Sequence, residues 1–514
     1  MKIIKNPILK GFYPDPSICR VENDYYLVCS TFSYVPGVPI FHSTNLEKWR
    51  QIGHVLERKE QLVLENASMS EGIYAPCIRF HKGTYYMITT NVKGGGNFYV
   101  TATQAEGPWS DPVYLQDAEG IDPSIFFDKD RSYYVGQRTK KEAKYFGDCE
   151  IWIQELDVHS GRLVGDIHVV WDGAMKNAVW PEGPHLYKRG DYYYLLIAEG
   201  GTSYEHSICV ARSRNVTGPY ESCPCNPIFT HRHLGHKADI QNVGHGDLIE
   251  TQDGQWYIVM LGTRPKEGYA PLGRETFLAE VEWENDWPII NPGKGKLEEV
   301  YGIEAFGTEI CWTNPFDSRC ICFRYPELET FHLLDAGKIS LKMLPQTMSD
   351  GLSPAYIGVR VDSLDFTMEV TVEVEPDKEQ EAGLLYLYDE NNYVRFTIAE
   401  SNSENDPCHV GKMLRLIKVE NKEETIVYSH KIRNGAQRLK MQLNMLELIC
   451  TLEEEGYSAS VDVRNLTAEK AGGFVGCTMG IYATSNHGSS SDLGYACFSP
   501  LTIHSADTTN DSVL

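Results

Sequence analysis

A polar turn, a pair of aromatic residues and a short apolar run recur five times in the amino-terminal part of this chain: Asn23-Asp24-Tyr25-Tyr26-Leu27-Val28, Gly83-Thr84-Tyr85-Tyr86-Met87-Ile88, Arg131-Ser132-Tyr133-Tyr134-Val135, Gly190-Asp191-Tyr192-Tyr193-Tyr194-Leu195 and Gly254-Gln255-Trp256-Tyr257-Ile258-Val259. The intervals are roughly 50 to 65 residues, the period of a blade-like unit. Each doublet follows a second shared element, a short strand opened by a small or polar residue: Asp15-Pro-Ser-Ile, Ala75-Pro-Cys-Ile, Asp122-Pro-Ser-Ile, Glu182-Gly-Pro-His-Leu and His245-Gly-Asp-Leu-Ile. Strand, turn and aromatic strand make a hairpin. Further strand-like runs follow, among them Pro39-Ile-Phe-His-Ser and Phe98-Tyr-Val-Thr-Ala, and then Trp49, Trp109 or Tyr220. About four strands per unit, five times over and without long helical periodicity, predict a five-bladed β-propeller.

A propeller gives this repeat a chemical consequence. The innermost strand of every blade lines the central axis, so equivalent positions of the five units converge on one mouth. Those positions are Asp15, Ala75, Asp122, Glu182 and His245. A single Asp-Pro is ordinarily a turn residue bonded to its own backbone. Acids in one register of three repeats are different, because uncompensated carboxylates at a shared axis repel and shift one another's ionisation.

Composition narrows the partners. A formal net charge of −24 works against nucleic acid or an anionic membrane, whose binders gather Lys and Arg. No stretch reaches the roughly 18 apolar residues of a membrane helix, and the start of the chain lacks the apolar core of a secretory signal. The 14 Cys are scattered and are read as reduced thiols, which points to the cytoplasm. Neither the Cys223/Cys225 nor the Cys320/Cys322 pair has the spacing of a zinc knuckle. The run His231-Arg-His233-Leu-Gly-His236 also lacks an acid or thiol to complete a zinc set and is read as a loop at the pocket rim.

Three segments, Gly11-Phe-Tyr-Pro-Asp15-Pro-Ser-Ile, Gly120-Ile-Asp122-Pro-Ser-Ile and Trp180-Pro-Glu182-Gly-Pro-His-Leu, resemble the signature segments of glycoside hydrolase family 43 in the family's order. Val35-Pro-Gly-Val-Pro-Ile-Phe-His42, Gln241-Asn-Val-Gly-His245-Gly-Asp and Leu272-Gly-Arg274-Glu-Thr-Phe extend the similarity to essentially the whole chain, most strongly within the β-xylosidase and α-L-arabinofuranosidase branch. The resemblance implies an inverting, exo-acting hydrolase that releases terminal xylose from β-1,4-xylo-oligosaccharides, or alternatively arabinofuranose from arabinoxylan or arabinan fragments. It makes Asp15 the general base, Glu182 the general acid and Asp122 the residue that tunes and orients the acid. Inversion then calls for about 6.5 to 9.5 Å between the carboxyl groups of base and acid.

The same resemblance implies substrate-binding roles for Phe32, Tyr74, Thr202, His245 and Arg274; related xylosidases often have Trp where Tyr74 stands. No cofactor is expected to be required. Some relatives carry calcium in the propeller channel, so a cation near His245 is the one metal question. The expected partner is a small oligosaccharide, with a homo-oligomer left open.

The repeats end near Trp287-Pro-Ile-Ile-Asn-Pro-Gly-Lys-Gly, read as a linker, which assigns residues 1–310 to the propeller. From about Phe316 the pattern becomes alternating strands, including Phe366-Thr-Met-Glu-Val-Thr-Val, Ala382-Gly-Leu-Leu-Tyr-Leu-Tyr, Tyr393-Val-Arg-Phe-Thr-Ile and Leu414-Arg-Leu-Ile-Lys-Val. Period-two runs between charged turns predict a β-sandwich over 316–504, followed by a frayed tail at 505–514. It resembles the concanavalin-A-like, lectin-like sandwich of the same branch, in which one loop reaches the pocket; Gly472-Gly-Phe474-Val-Gly is similar to that loop, which makes Phe474 a substrate contact. Two rival readings remain: the retaining invertase and fructanase group, whose Asn-Asp-Pro-Asn, Arg-Asp-Pro and Glu-Cys signatures are absent here, and a non-catalytic glycan-binding protein.

Overall fold

The computed structural model describes residues 4–298, 306–313, 316–327, 329–377, 379–401, 411–488 and 493–506. Among them, five consecutive four-stranded antiparallel sheets follow one another, each built in simple chain order. Their innermost strands are Ser17–Val21, Cys77–His81, Ile121–Asp128, Glu182–Arg189 and Gln241–Glu250. This is the five-bladed propeller that the repeat predicts.

The aromatic doublets find their reason in the packing. Successive strand residues point to opposite faces, so a doublet sends one ring to each neighbouring blade. Tyr25 packs toward the fifth blade with Ile249, Tyr257 and Leu278, whereas Tyr26 packs toward the second. Tyr85 and Tyr86 divide in the same way, as do Tyr133 and Tyr134, Tyr193 and Tyr194, and Trp256 and Tyr257. Across the first interface the rings of Tyr26 and Tyr85 meet edge to face at 5.3 Å, the geometry the ring quadrupoles favour. Trp49, Trp109 and Tyr220 share another device: each donates to a carbonyl three or four residues back, at Leu46, Ala105 and Val216.

The ring is closed by its own amino-terminal segment. Ile8 and Leu9 donate to the Thr276 carbonyl, and the Asn6 amide bonds both backbone groups of Leu278. This closure lays the segment carrying Asp15 beside the segment carrying Arg274, where Tyr13 N–H donates to the Arg274 carbonyl.

Two sheets, of nine and six strands, form the second unit. In Asp365–Glu373 the side chains of Phe366, Met368, Val370 and Val372 are all buried, the inward set of a half-buried strand. Three boundaries differ from the sequence reading. Trp287–Ile290 is the outer strand of the fifth blade rather than a linker, and Pro288 is tolerated there because an edge strand can spare an N–H. Phe306–Ile310 pairs with Leu501–Ala506 and so belongs to the sandwich rather than to the propeller. Residues 505 and 506 are strand, not tail; 507–514 lie outside the described residues.

The two units are joined at the mouth. Tyr34–Val35 of the first blade pairs with Cys322–Phe323, and the sandwich core runs on into Phe12, Phe32, Met69 and Leu272 of the propeller. Gly273 and Gly476 stand back to back, and a Cβ on Gly273 would lie 2.8 Å from the Gly476 Cα. Only glycine permits that approach, and it draws the Gly472–Gly476 loop over the axis.

Candidate active site

Asp15, Asp122 and Glu182 are all buried at the head of inner strands, with relative exposures of 6%, 6% and 8%. Asp15 and Asp122 share an unusual backbone, both at φ 54°. Bulges follow in the register at Ile121/Ser124 and Glu182/His185; such bulges re-aim side chains beside functional sites.

Their surroundings divide the three acids. Arg274 Nη1 donates to Asp15 Oδ1 at 2.8 Å, the Ser30 hydroxyl donates to Oδ2 at 2.6 Å, and His245 Nδ1 lies 3.8 Å from Oδ1. Burial pushes the Asp15 carboxyl up, but Arg274, His245 and Ser30 together outweigh it and leave it below its ordinary value. Glu182 has no such support: burial and the charges of Asp122 and Asp15 hold its carboxyl well above the glutamate range, against a smaller opposing pull from Arg274. Asp122 is intermediate, pushed up to about 6 by burial and Asp15 although His245, the Gly183 N–H and Arg274 favour its charge. That N–H donates to Asp122 Oδ2 at 3.2 Å. The surroundings therefore favour the charged form of Asp15 and the protonated form of Glu182, with Asp122 between them.

Aromatic rings form the other wall. Phe32 stacks on Phe474 with centroids 6.1 Å apart and planes at 15°, and Tyr74 meets both rings edge-on. The guanidinium of Arg274 lies 5.8 Å from the centroids of Phe32 and Phe474, close enough for cation–π attraction. The Phe474 loop is tied across the domain boundary: its N–H donates to Ser70 Oγ at 3.0 Å, and its carbonyl accepts from Arg274 Nη2 at 3.2 Å. Ser70 is held in turn by the turn before it, where the Met69 N–H donates to the buried Glu390 carboxylate. Thr202 lies half-buried in the loop after Tyr192–Glu199. The structure thus brings Asp15, Asp122, Glu182, His245 and Arg274 into one electrostatic unit and Phe32, Tyr74 and Phe474 into one aromatic wall.

Sequence reasoning missed several contributors. Ser30, which bonds the Asp15 carboxylate, gives no motif signal. Phe146, 86% exposed, meets Trp180 edge to face at 5.0 Å, two residues before Glu182. One step further along the inner strands lies a buried polar plug. Asp247 there receives Ser17 Oγ, Tyr187 OH and both Nη atoms of Arg79, and Arg79 Nη2 also contacts His185 Nδ1 at 3.0 Å. The His231 run holds structure together: His231 bonds the Ile240 carbonyl and the Leu297 N–H, and His236 stacks on Tyr204.

A calcium ion beside His245 would need six to eight oxygens. Around His245, Asp15 already serves Arg274 and Ser30, Asp247 is paired with Arg79, and Asp122 accepts the Gly183 N–H. Among the described residues no group of three or more His, Cys, Asp or Glu is placed to hold a metal ion.

Hydrolysis of an acetal needs a proton for the departing oxygen and a base for the attacking water, and this mouth presents one carboxyl pushed toward its protonated form and one held toward its ionised form beside an aromatic wall. Fold and site together define a glycoside hydrolase. Residues 4–288 match glycosyl hydrolases family 43, residues 316–503 match the beta xylosidase C-terminal concanavalin A-like domain, and the chain belongs to family 43. It is 43% identical to a xylosidase/arabinosidase of Butyrivibrio fibrisolvens over 98% of this chain and 99% of the relative. It is 35% identical to a non-reducing end alpha-L-arabinofuranosidase of Bacteroides ovatus over 94% and 92%. A xylan beta-1,4-xylosidase from Bacillus halodurans C-125 superposes with a TM-score of 0.87 at 32% identity, covering 98% of this chain and 100% of that one.

Proposed function

We propose that this enzyme removes terminal xylose from the non-reducing ends of β-1,4-xylo-oligosaccharides with inversion. Asp15 is the general base, Glu182 the general acid, and Asp122 the charge that keeps Glu182 protonated. The observation that carries this reading is the opposed ionisation of Asp15 and Glu182 within one buried site; a pair of carboxyls pushed apart in this way is how acid and base roles are assigned. Phe32, Tyr74 and Phe474 form the wall for the terminal sugar, with Arg274, His245 and Thr202 toward its hydroxyls. The Phe474 loop covers one side of the mouth and supports exo action. Phe146 and Trp180, next to the proton donor, offer a face for the departing sugar.

Arabinofuranose release is the second reading, favoured by the two activities that name the Butyrivibrio relative. Hydrolysis of nitrophenyl β-xylopyranoside and nitrophenyl α-L-arabinofuranoside by the same preparation tests the choice. A higher kcat/KM on the xyloside supports xylose. A preference for the furanoside overturns it, and no turnover of either would restore the glycan-binding alternative.

Phe474→Ala removes one ring of the wall. An aromatic contact of roughly 1 kcal/mol corresponds to a KM rise of about fivefold, with kcat less affected because no proton donor is touched. Initial-rate kinetics check this, and an unchanged KM would remove Phe474 from the pocket.

Catalysis is proposed to need no metal, since Asp15 and Asp247 are already held by arginine and the proposed acid and base are both carboxyl groups. Exhaustive dialysis against EDTA is expected to leave kcat and the melting temperature unchanged, and restoration of lost activity by calcium would contradict it. The cytoplasm is the proposed compartment, supported by the 13 described cysteines, all free; recovery of the activity outside the cell would contradict that.

A further inference from the structure

A fully buried histidine that no part of the proposed chemistry uses, His206, lies behind the site. Its Nδ1 is 3.0 Å from the Asn242 carbonyl. A carbonyl only accepts, so Nδ1 carries the proton and Nε2 is left as a bare lone pair; Nε2 is buried and has no partner. The charged or titratable groups facing the ring are His245, Arg274 and Asp15. Burial pushes its basicity down to about 3, so it stays neutral and adds no charge to the site.

The ring acts on backbone. A Cβ at Gly244 would lie 2.5 Å from three atoms of the His206 ring, so the ring lies directly against the Gly244 Cα. Gly244 is the centre of an irregular stretch: pairing slips on both sides of it, and Asn242 and His245 take φ values of 57° and 44°. Such backbone persists only where its surroundings hold it. Here a hydrogen bond to Asn242 and a ring face on Gly244 hold it from one side, and Asn242 Nδ2 to Thr263 Oγ1 at 3.0 Å holds it from the other. The stretch ends in His245, whose Nδ1 lies 3.8 Å from Asp15 and whose Nε2 would lie 2.8 Å from a Cβ on Gly183, the residue that donates to Asp122.

We propose that His206 is a positioning residue, which clamps the Asn242–His245 bulge and thereby sets the placement of His245 against Asp15 and against the Gly183 link to Asp122. The proposal rests on the roles given above to Asp15, Asp122 and Glu182.

Four variants test it. His206→Ala is expected to lower kcat at least about tenfold with KM changed less than about threefold, and to move the acid limb of the kcat/KM profile to higher pH, because His245 is one of the groups that hold the Asp15 carboxyl down. His206→Asn, whose amide can donate from near the Nδ1 position, should recover most of the rate and the profile; His206→Phe, which keeps a ring but has no donor, should not. Gly244→Ala should reproduce the His206→Ala defect with the histidine intact, because Gly244 has an ordinary φ and the three atoms nearest the added methyl are all in the His206 ring. The Gly244→Ala and His206→Ala effects should combine less than additively.

Wild-type kcat and pH profile in His206→Ala would overturn the proposal, as would equal losses in the Asn and Phe variants. If the Ala variant fails to fold, the Asn and Phe comparison still decides. Full activity in Glu182→Gln would instead remove the underlying acid assignment, so the two failures are separate.

Discussion

Glu182→Gln is expected to lower kcat on an oligosaccharide by a factor of at least about 10², the lower bound for losing a positioned proton donor, with little change in KM. The glutamine keeps the shape of the side chain but has no acidic proton to give. The loss should be smaller on substrates whose leaving group departs without a proton, so a nitrophenyl glycoside and a xylo-oligosaccharide should separate in sensitivity. The pH profile gives a second reading. Activity in the wild type should fall at high pH as Glu182 ionises, and that basic limb should vanish in the variant. Asp122→Asn should move the limb to lower pH, because removing a like charge lets Glu182 ionise sooner.

Stability should move the other way. Glu182 is raised in the folded state above the roughly 4.3 of an unfolded chain. Its contribution is fully present below the unfolded value and is lost as pH rises through the folded one. A residue that cannot ionise escapes that loss, so Glu182→Gln should melt no lower than the wild type at neutral pH and higher at alkaline pH. A variant that loses activity while gaining heat stability is a catalytic variant, not a misfolded one. Calorimetry beside initial rates checks both, and a less stable variant with wild-type kcat would remove Glu182 from the chemistry.

Asp15→Asn should be at least as damaging, about 10³-fold in kcat within the range for acid–base groups, with loss on activated and unactivated substrates alike. Water must still be deprotonated whatever the leaving group is. The amide oxygen can still accept from Arg274, and the Ser30 hydroxyl can turn to accept from the amide nitrogen, so the fold should survive. Asp15→Ala offers no such acceptor. It leaves the Arg274 guanidinium buried without its counter-charge, a defect of about 3–5 kcal/mol, and should fall in both activity and melting temperature. Equal sensitivity of the two leaving-group classes in Asp15→Asn, against unequal sensitivity in Glu182→Gln, separates base from acid. The reverse pattern would exchange the roles.

What could be read from the chain alone was whatever repeats. Asp15, Asp122 and Glu182 were legible because a propeller turns equal positions in successive units into neighbours, and the resemblance assigned them roles. Phe474 was legible only through that resemblance, since nothing in a Gly-Gly-Phe-Val-Gly run says which mouth it covers. Ser30 escaped because its contact with Asp15, 15 positions back in the same blade, carries no motif; His206 and the Arg79–Asp247 pair escaped because each acts across a blade boundary, on a partner 36 or 168 positions away. No periodicity within one blade encodes such contacts. The strand Phe306–Ile310 was placed in the wrong unit for a related reason: its pairing partner, Leu501–Ala506, stands at the far end of the chain. Trp287–Ile290 was read as a linker because its proline and the Gly and Pro beyond it outweighed a short edge strand.

The assignment of Asp15 as a base rather than a nucleophile has one direct stereochemical consequence. If water guided by Asp15 attacks the face opposite the bond that Glu182 protonates, the first sugar released from a β-xyloside must carry the α configuration. Proton NMR of the anomeric region during the first minutes of hydrolysis, before mutarotation scrambles the product, reads this outcome. Initial appearance of the α anomer is the expected result. Initial appearance of the β anomer would mean a covalent intermediate and a nucleophile where a base has been assigned, contradicting the inverting mechanism.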